Sequence, residues 1–217
     1  MIRVRYLPAL LLGLVMAATV PPAAAQSPAD WYEIEIIVFR QPEPTGANAE
    51  LHPVDPPPPE ASQVVSLRQP GAGGIPYEML GPDDLKLAGV YERLEQSERY
   101  EPLLHIGWRQ PGVGESAAAS VAIPPEWQPW SQAQRPPLHG LVRFHKERYL
   151  HLAVDLRYQP PAVAPDEPEL AFDGTMTETV TPTYVHQQSR RLRTGELHYL
   201  DHPTLGVVVE VRQVGGN

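Results

Sequence analysis

Arg190, Arg191 and Arg193 form a compact basic cluster in a chain that carries 17 lysines and arginines against 26 aspartates and glutamates. Guanidinium forks pair bidentately with carboxylates, so such a cluster suits an anionic ligand. On an extended segment Arg191 and Arg193 fall on one face and Arg190 on the other, and ordinary pairing with Glu196 or another sheet acid would occupy the same groups. Trp127 and Trp130 flank Gln128-Pro129 in a proline-rich stretch. There an exposed indole would offer a flat apolar platform for a sugar ring, with burial against a sheet as the alternative, whereas Trp31 and Trp108 fall on strand-like segments and belong to the core.

Eight histidines invite a metal hypothesis. His198 and His202, four apart on an extended segment, would stand about 13 Å apart at roughly 3.3 Å per residue. His145 and His151 are similarly separated, and neither an HExxH nor an HxH unit occurs, so no metal site and no cofactor is expected. Asp201-His202 before Pro203 reads as a turn whose side chains satisfy local backbone groups. Catalytic chemistry is thinly supplied. Cysteine is absent, no serine stands in a G-x-S-x-G or S-x-x-K arrangement, and only Lys86 and Lys146 offer an amine. Asp155, Glu196 and Asp201 could converge as paired carboxylates, which spacing alone leaves open. No catalytic residue is assigned.

These side chains need a scaffold, and the pattern between them is mostly strand-like. In 31–40, Ile34, Ile36 and Val38 share one face while Glu33 and Glu35 take the other, which predicts a half-buried strand. Leu104, Ile106 and Trp108 alternate in 103–109, and Leu138, Val142 and Phe144 share a face in 138–145. In 148–158, Leu150, Leu152, Val154, Leu156 and Tyr158 alternate with Tyr149, His151, Ala153, Asp155 and Arg157, giving one core face and one polar face. A single helix is expected from Pro82 to about Ser97, with Leu87, Val90, Tyr91 and Leu94 at helical spacing and Pro82-Asp83-Asp84 in its first turn. Segments 183–193 and 196–201 flank Thr194-Gly195 as a hairpin, and a last strand runs from Val207 to Val211. Proline clusters near 42–59, 124–137 and 160–168 fix φ and remove backbone donors, so they read as exposed loops or extended connectors. The fold class is α+β with a mainly antiparallel sheet, one principal helix and Pro-rich loops.

The N-terminus has the layout of a secretory leader, with Arg3 and Arg5, an apolar run from Leu7 to Val20, and Ala23-Ala24-Ala25 before Gln26. Cleavage is expected after Ala25, and the run is shorter than the roughly 20 residues a membrane-spanning helix needs. With no membrane anchor left, residues 26–217 form one exported domain with Pro-rich insertions. Loss of the two leader arginines takes the formal net charge from −9 to −11. Nucleic acid is not expected as a partner of so acidic a chain.

Several ordered motifs together resemble the CsiV family of periplasmic proteins associated with peptidoglycan and cell-shape integrity. They are WYEIEIIVF from Trp31, YERLEQS from Tyr91 to Ser97, Tyr100 to Pro111, RYLHLAVDLRY at 148–158, SRRLRTGELHYLDHP at 189–203, and Gly206 to Val209. The resemblance implies a periplasmic, non-enzymatic protein that binds peptidoglycan and supports its synthesis, acting with the lipoprotein activator of a class A penicillin-binding protein. Stem-peptide carboxylates would then be the anions for a polar sheet face around Arg191, Arg193, Tyr149 and His151. A carboxylate-based cell-wall hydrolase and a protein-only periplasmic adaptor are the alternatives.

Overall fold

The computed structural model describes residues 30–42, 56–68, 76–129, 135–161 and 181–215. The leader, Trp130 and most of the proline clusters at 42–59 and 160–168 lie outside them. The described strands are β1 (Trp31–Arg40), β2 (Val64–Val65), β3 (Glu78–Met79), β4 (Glu101–Pro111), β5 (Ser120–Ile123), β6 (Leu138–Lys146), β7 (Leu150–Tyr158), β8 (Tyr184–Leu192), β9 (Leu197–Leu200) and β10 (Leu205–Val214), with one α-helix, α1 (Ala88–Glu95). The fold is α+β and predominantly antiparallel, as the alternation predicts. The strands divide into two sheets, ordered β3-β4-β1-β10-β9 and β2-β5-β6-β7-β8, in which only the β2–β5 pair is parallel.

The alternating apolar residues explain why the sheets stack. Ile34, Ile36, Val38, Ile106, Trp108, Val207, Val209 and Val211 of the first sheet meet Val121, Val142, Phe144, Leu152, Val154 and Leu156 of the second in one continuous core. Fully burying an aliphatic side chain of this size contributes about 1.5–3 kcal/mol. One polar side chain spans the sheets inside this layer. Gln110 accepts the indole N–H of Trp108 at 2.8 Å and donates to the Phe144 carbonyl at 3.2 Å, so its burial leaves its amide paired.

The expected half-buried β1 is instead covered on both faces. Helix α1 lies over the outer face of the first sheet, where Ile37 and Phe39 pack with Leu87, Val90, Tyr91 and Leu94. The helix is also shorter than its pattern suggests. Pro82–Asp84 forms a separate 3-10 turn and α-helix begins at Ala88. The reason is remote in sequence: Glu35 accepts the backbone N–H groups of Lys86 at 2.8 Å and Leu87 at 2.7 Å, which fixes where the helix starts.

A second departure concerns 183–201. The residues around Thr194-Gly195 do form a turn, with Gly195 at φ +71°, but β8 pairs with β7 in the second sheet and β9 with β10 in the first. The turn is a crossing between sheets, and the expected hairpin is not formed. The Gly195 N–H bonds the Val211 carbonyl at 2.8 Å, which ties the crossing to β10. The proline stretches are less exposed than expected where they are described. Pro56, Pro59, Pro124 and Pro125 are buried, and the Arg157 guanidinium clamps the Pro57 carbonyl at 3.1 and 3.2 Å.

Candidate functional site

The polar face predicted for 148–158 is the outer face of the second sheet. Register places Arg191 of β8 opposite His151 of β7, and His151 opposite His145 of β6. Tyr149, in the turn that enters β7, is 41 % exposed. The Arg191 guanidinium lies 3.9 Å from the centre of its ring and that of Arg148 lies 5.4 Å away. Cations held over an aromatic face in this way gain about 0.5–1 kcal/mol at exposed sites. His145 and His151 stack with centroids 5.0 Å apart and planes 9° from parallel. Among the described residues no carboxylate pairs with Arg191 or Arg148, whereas the neighbouring Arg143 is taken up by Glu115 at 2.8 Å.

His145 is buried, and desolvation pushes its pKa below the ordinary imidazole value, with Glu115 and Glu147 opposing and His151 and Arg143 reinforcing that shift. Among the described residues its Nδ1 has no hydrogen-bond partner. His145 therefore stays neutral near pH 7, while Arg148 and Arg191 bring fixed positive charge to the face.

The arginine cluster separates as strand alternation requires, and further. Arg190 turns away from this face and donates to the Tyr199 carbonyl of β9 at 3.1 Å. Arg193 lies past the end of β8, in the crossing, where it pairs with Glu196 at 3.3 Å. Of the three, only Arg191 joins Tyr149 and His151. Trp127 is buried at 8 % exposure, packed on Ala122 and Leu141 with its ring 5.1 Å from that of His139. This is the burial set beside sugar stacking from sequence. Trp130 lies outside the described residues.

The three candidate carboxylates are each engaged where they stand. Asp155 pairs with Arg157, Glu196 with Arg193, and Asp201 accepts the Tyr199 hydroxyl at 2.7 Å. His198 bonds the Arg193 backbone N–H, while His202 stacks on His186 with centroids 5.1 Å apart. Among the described residues no group of three His, Asp or Glu gathers as metal ligands, and no helix is long and apolar enough to cross a membrane.

Sequence reasoning missed a charged lattice on the first sheet, because Glu33 and Glu35 read as a solvated face. Register aligns Glu78, Arg109, Glu33 and Arg212 across β3, β4, β1 and β10. Arg109 donates to Glu33 at 2.6 Å; Arg212 lies 3.5 Å from Glu33 and 3.0 Å from Glu35, and His105 meets Glu35 at 2.8 Å. Burial alone would raise the Glu35 pKa. The N–H groups of Lys86 and Leu87, with His105 and Arg212, outweigh it and hold the carboxyl below its ordinary value. The available signal was opposite charge in alternating strands, which only register converts into contact.

A family model described as "Peptidoglycan-binding protein, CsiV" matches residues 7–214. No curated protein and no solved structure matches the chain.

Proposed function

The chain belongs to the CsiV family of peptidoglycan-binding proteins, and from that premise we propose that it binds the wall polymer through the outer face of the second sheet. The observation that carries this reading is the Arg191 guanidinium, 3.9 Å over exposed Tyr149 and beside Arg148, in register with His151. Two guanidinium groups without carboxylate partners among the described residues are suited to the stem-peptide carboxylates of peptidoglycan. Tyr149 orients Arg191 and adds an apolar surface.

In this reading the protein works in the periplasm as a non-enzymatic accessory to wall synthesis. It regulates a class A penicillin-binding protein through its lipoprotein activator and supports cell shape. Support for that wider role comes from the motif resemblance across most of 31–212 and from the leader-like N-terminus. Separate engagement of Asp155, Glu196 and Asp201 favours binding over hydrolysis by those carboxylates.

Co-sedimentation with purified sacculi tests the reading, with wild type beside Arg148→Ala/Arg191→Ala and the supernatant assayed for muropeptides. Wild type is expected to pellet in a salt-sensitive manner, the double variant to remain largely in solution, and no muropeptide to appear. Equal pelleting of the two proteins would remove this face from the proposal. Muropeptide release would indicate a hydrolase, and absence of wild-type pelleting a protein-only adaptor.

A further inference from the structure

Helix α1 covers only part of the first sheet's outer face, over Ile37 and Phe39. Toward the start of β1 the same face is left as a hollow of about 410 Å³, lined by Trp31, Glu78, Arg109, Val214 and Gly215. That volume lies within the roughly 300–1,000 Å³ of small-molecule sites. Pairing fixes how its walls arise. Trp31 stands opposite Val214, and Glu78 opposite Arg109 two residues further along the sheet.

The lining combines three kinds of group. Trp31, half-buried, and Val214 supply apolar surface. Arg109 supplies N–H donors, and Glu33 on the neighbouring strand holds its guanidinium in place at 2.6 Å. Glu78 supplies carboxylate acceptors and has no hydrogen-bond or ion-pair partner among the described residues. A donor fork beside an acceptor matches neighbouring hydroxyl or acetamido groups on a saturated ring, while an indole matches that ring's C–H face. An anion would be repelled by Glu78 and Glu33, and a purely apolar ligand would leave Arg109 and Glu78 desolvated without partners.

We propose that this hollow is a binding subsite for an uncharged pyranose ring. Its assignment to the amino-sugar strand of peptidoglycan rests on the reading above; the pyranose class rests on the lining alone. The two outer faces then divide the polymer, with the glycan at Trp31 and the stem-peptide carboxylates at Arg191.

Calorimetric titration of the purified protein with N-acetylchitotetraose, which has amino-sugar rings and no peptide, tests the subsite. Saturable binding is expected in wild type. Trp31→Ala and Glu78→Ala should each weaken it at least tenfold, and Arg191→Ala should leave it unchanged. Glu78 is an exposed residue of a two-residue strand, so its variant keeps the test decisive if Trp31→Ala destabilises the fold. Absence of wild-type binding, or binding indifferent to both variants, overturns the subsite. Sacculus pelleting is scored separately: pelleting without oligosaccharide binding sinks the subsite alone. Oligosaccharide binding that depends on Trp31 and Glu78 without pelleting keeps the subsite and sinks the wall reading.

Discussion

Glu35 Oε1 accepts the backbone N–H of Leu87 at 2.7 Å, joining the middle of β1 to the start of α1 across 52 positions of chain. The same carboxylate meets His105 and Arg212, and Glu35 is fully buried. Removing it leaves the backbone donors of Lys86 and Leu87 without their acceptor and takes one of three carboxylates from Arg212, which keeps Glu33 and Glu210. Glu35→Ala should therefore cost about 2–4 kcal/mol, since a buried donor left without an acceptor costs about 1–3 kcal/mol. Urea unfolding measures this, and a loss below about 1 kcal/mol would show that the contact is dispensable.

Acid should destabilise the fold well before its carboxylates titrate. Burial lowers the pKa of His139, His145 and His186, so the unfolded chain takes up protons more readily than the folded one. Their contribution is complete above the ordinary imidazole value of about 6.5 and is lost as pH falls through it toward the depressed folded values. Thermal melts at pH 7.5 and 5.5 should show a lower midpoint at the acid end. Glu35 and Asp201, also depressed, add a second loss only at lower pH, as it falls through their own folded values. Equal midpoints at 7.5 and 5.5 would contradict the histidine assignment.

Gly206 should tolerate no side chain while Phe39 is present. A Cβ built at Gly206 would lie 2.3 Å from Phe39 Cζ, because the tip of the ring, which also meets Tyr100 edge-on and stacks on Tyr199, reaches this position. Gly206→Ala is expected to cost about 1–3 kcal/mol, typical of overpacking. In a double-mutant cycle much of that cost should vanish in a Phe39→Leu background. Additive losses would place the strain elsewhere.

Trp127 should matter to stability and leave binding alone. Trp127→Ala empties a buried site on the outer face of the second sheet and should cost about 3 kcal/mol. Trp127→Phe keeps the packing and should pellet with sacculi like wild type. Weaker pelleting by a fully folded Phe variant would return Trp127 to the binding surface.

Alternation carried most of the fold in the sequence. β7 was legible because five core residues alternate with five others over 149–158, and its polar face is where Tyr149, His151 and Arg191 meet. What local pattern does not encode is which strands share a sheet. The run from Arg190 to Arg193 reads as one cluster, yet it spans the end of β8 and the crossing to the first sheet, so its three guanidiniums reach three different partners. Glu33 and Glu35 were misleading for a related reason. Charge at alternate positions signals solvent only when nothing covers the face, and here α1 and the arginines of two neighbouring strands do. Trp31 was assigned to the core by its strand, although it occupies the strand's first position, beyond the helix's reach.

β1 and β10 pair along their whole length, from Trp31 opposite Val214 to Arg40 opposite Leu205, at the centre of the first sheet. The first and last of the described strands are thus each other's neighbours, and a chain emerging from its amino end can assemble the second sheet while β1 still lacks β10. Closure waits for β10, whose pairing with β1 has the longest sequence separation among the described strands and hence a high entropic cost in folding. Until then the apolar edge of β1 stays open to other chains, so the domain is most vulnerable to aggregation in the interval before β10 arrives.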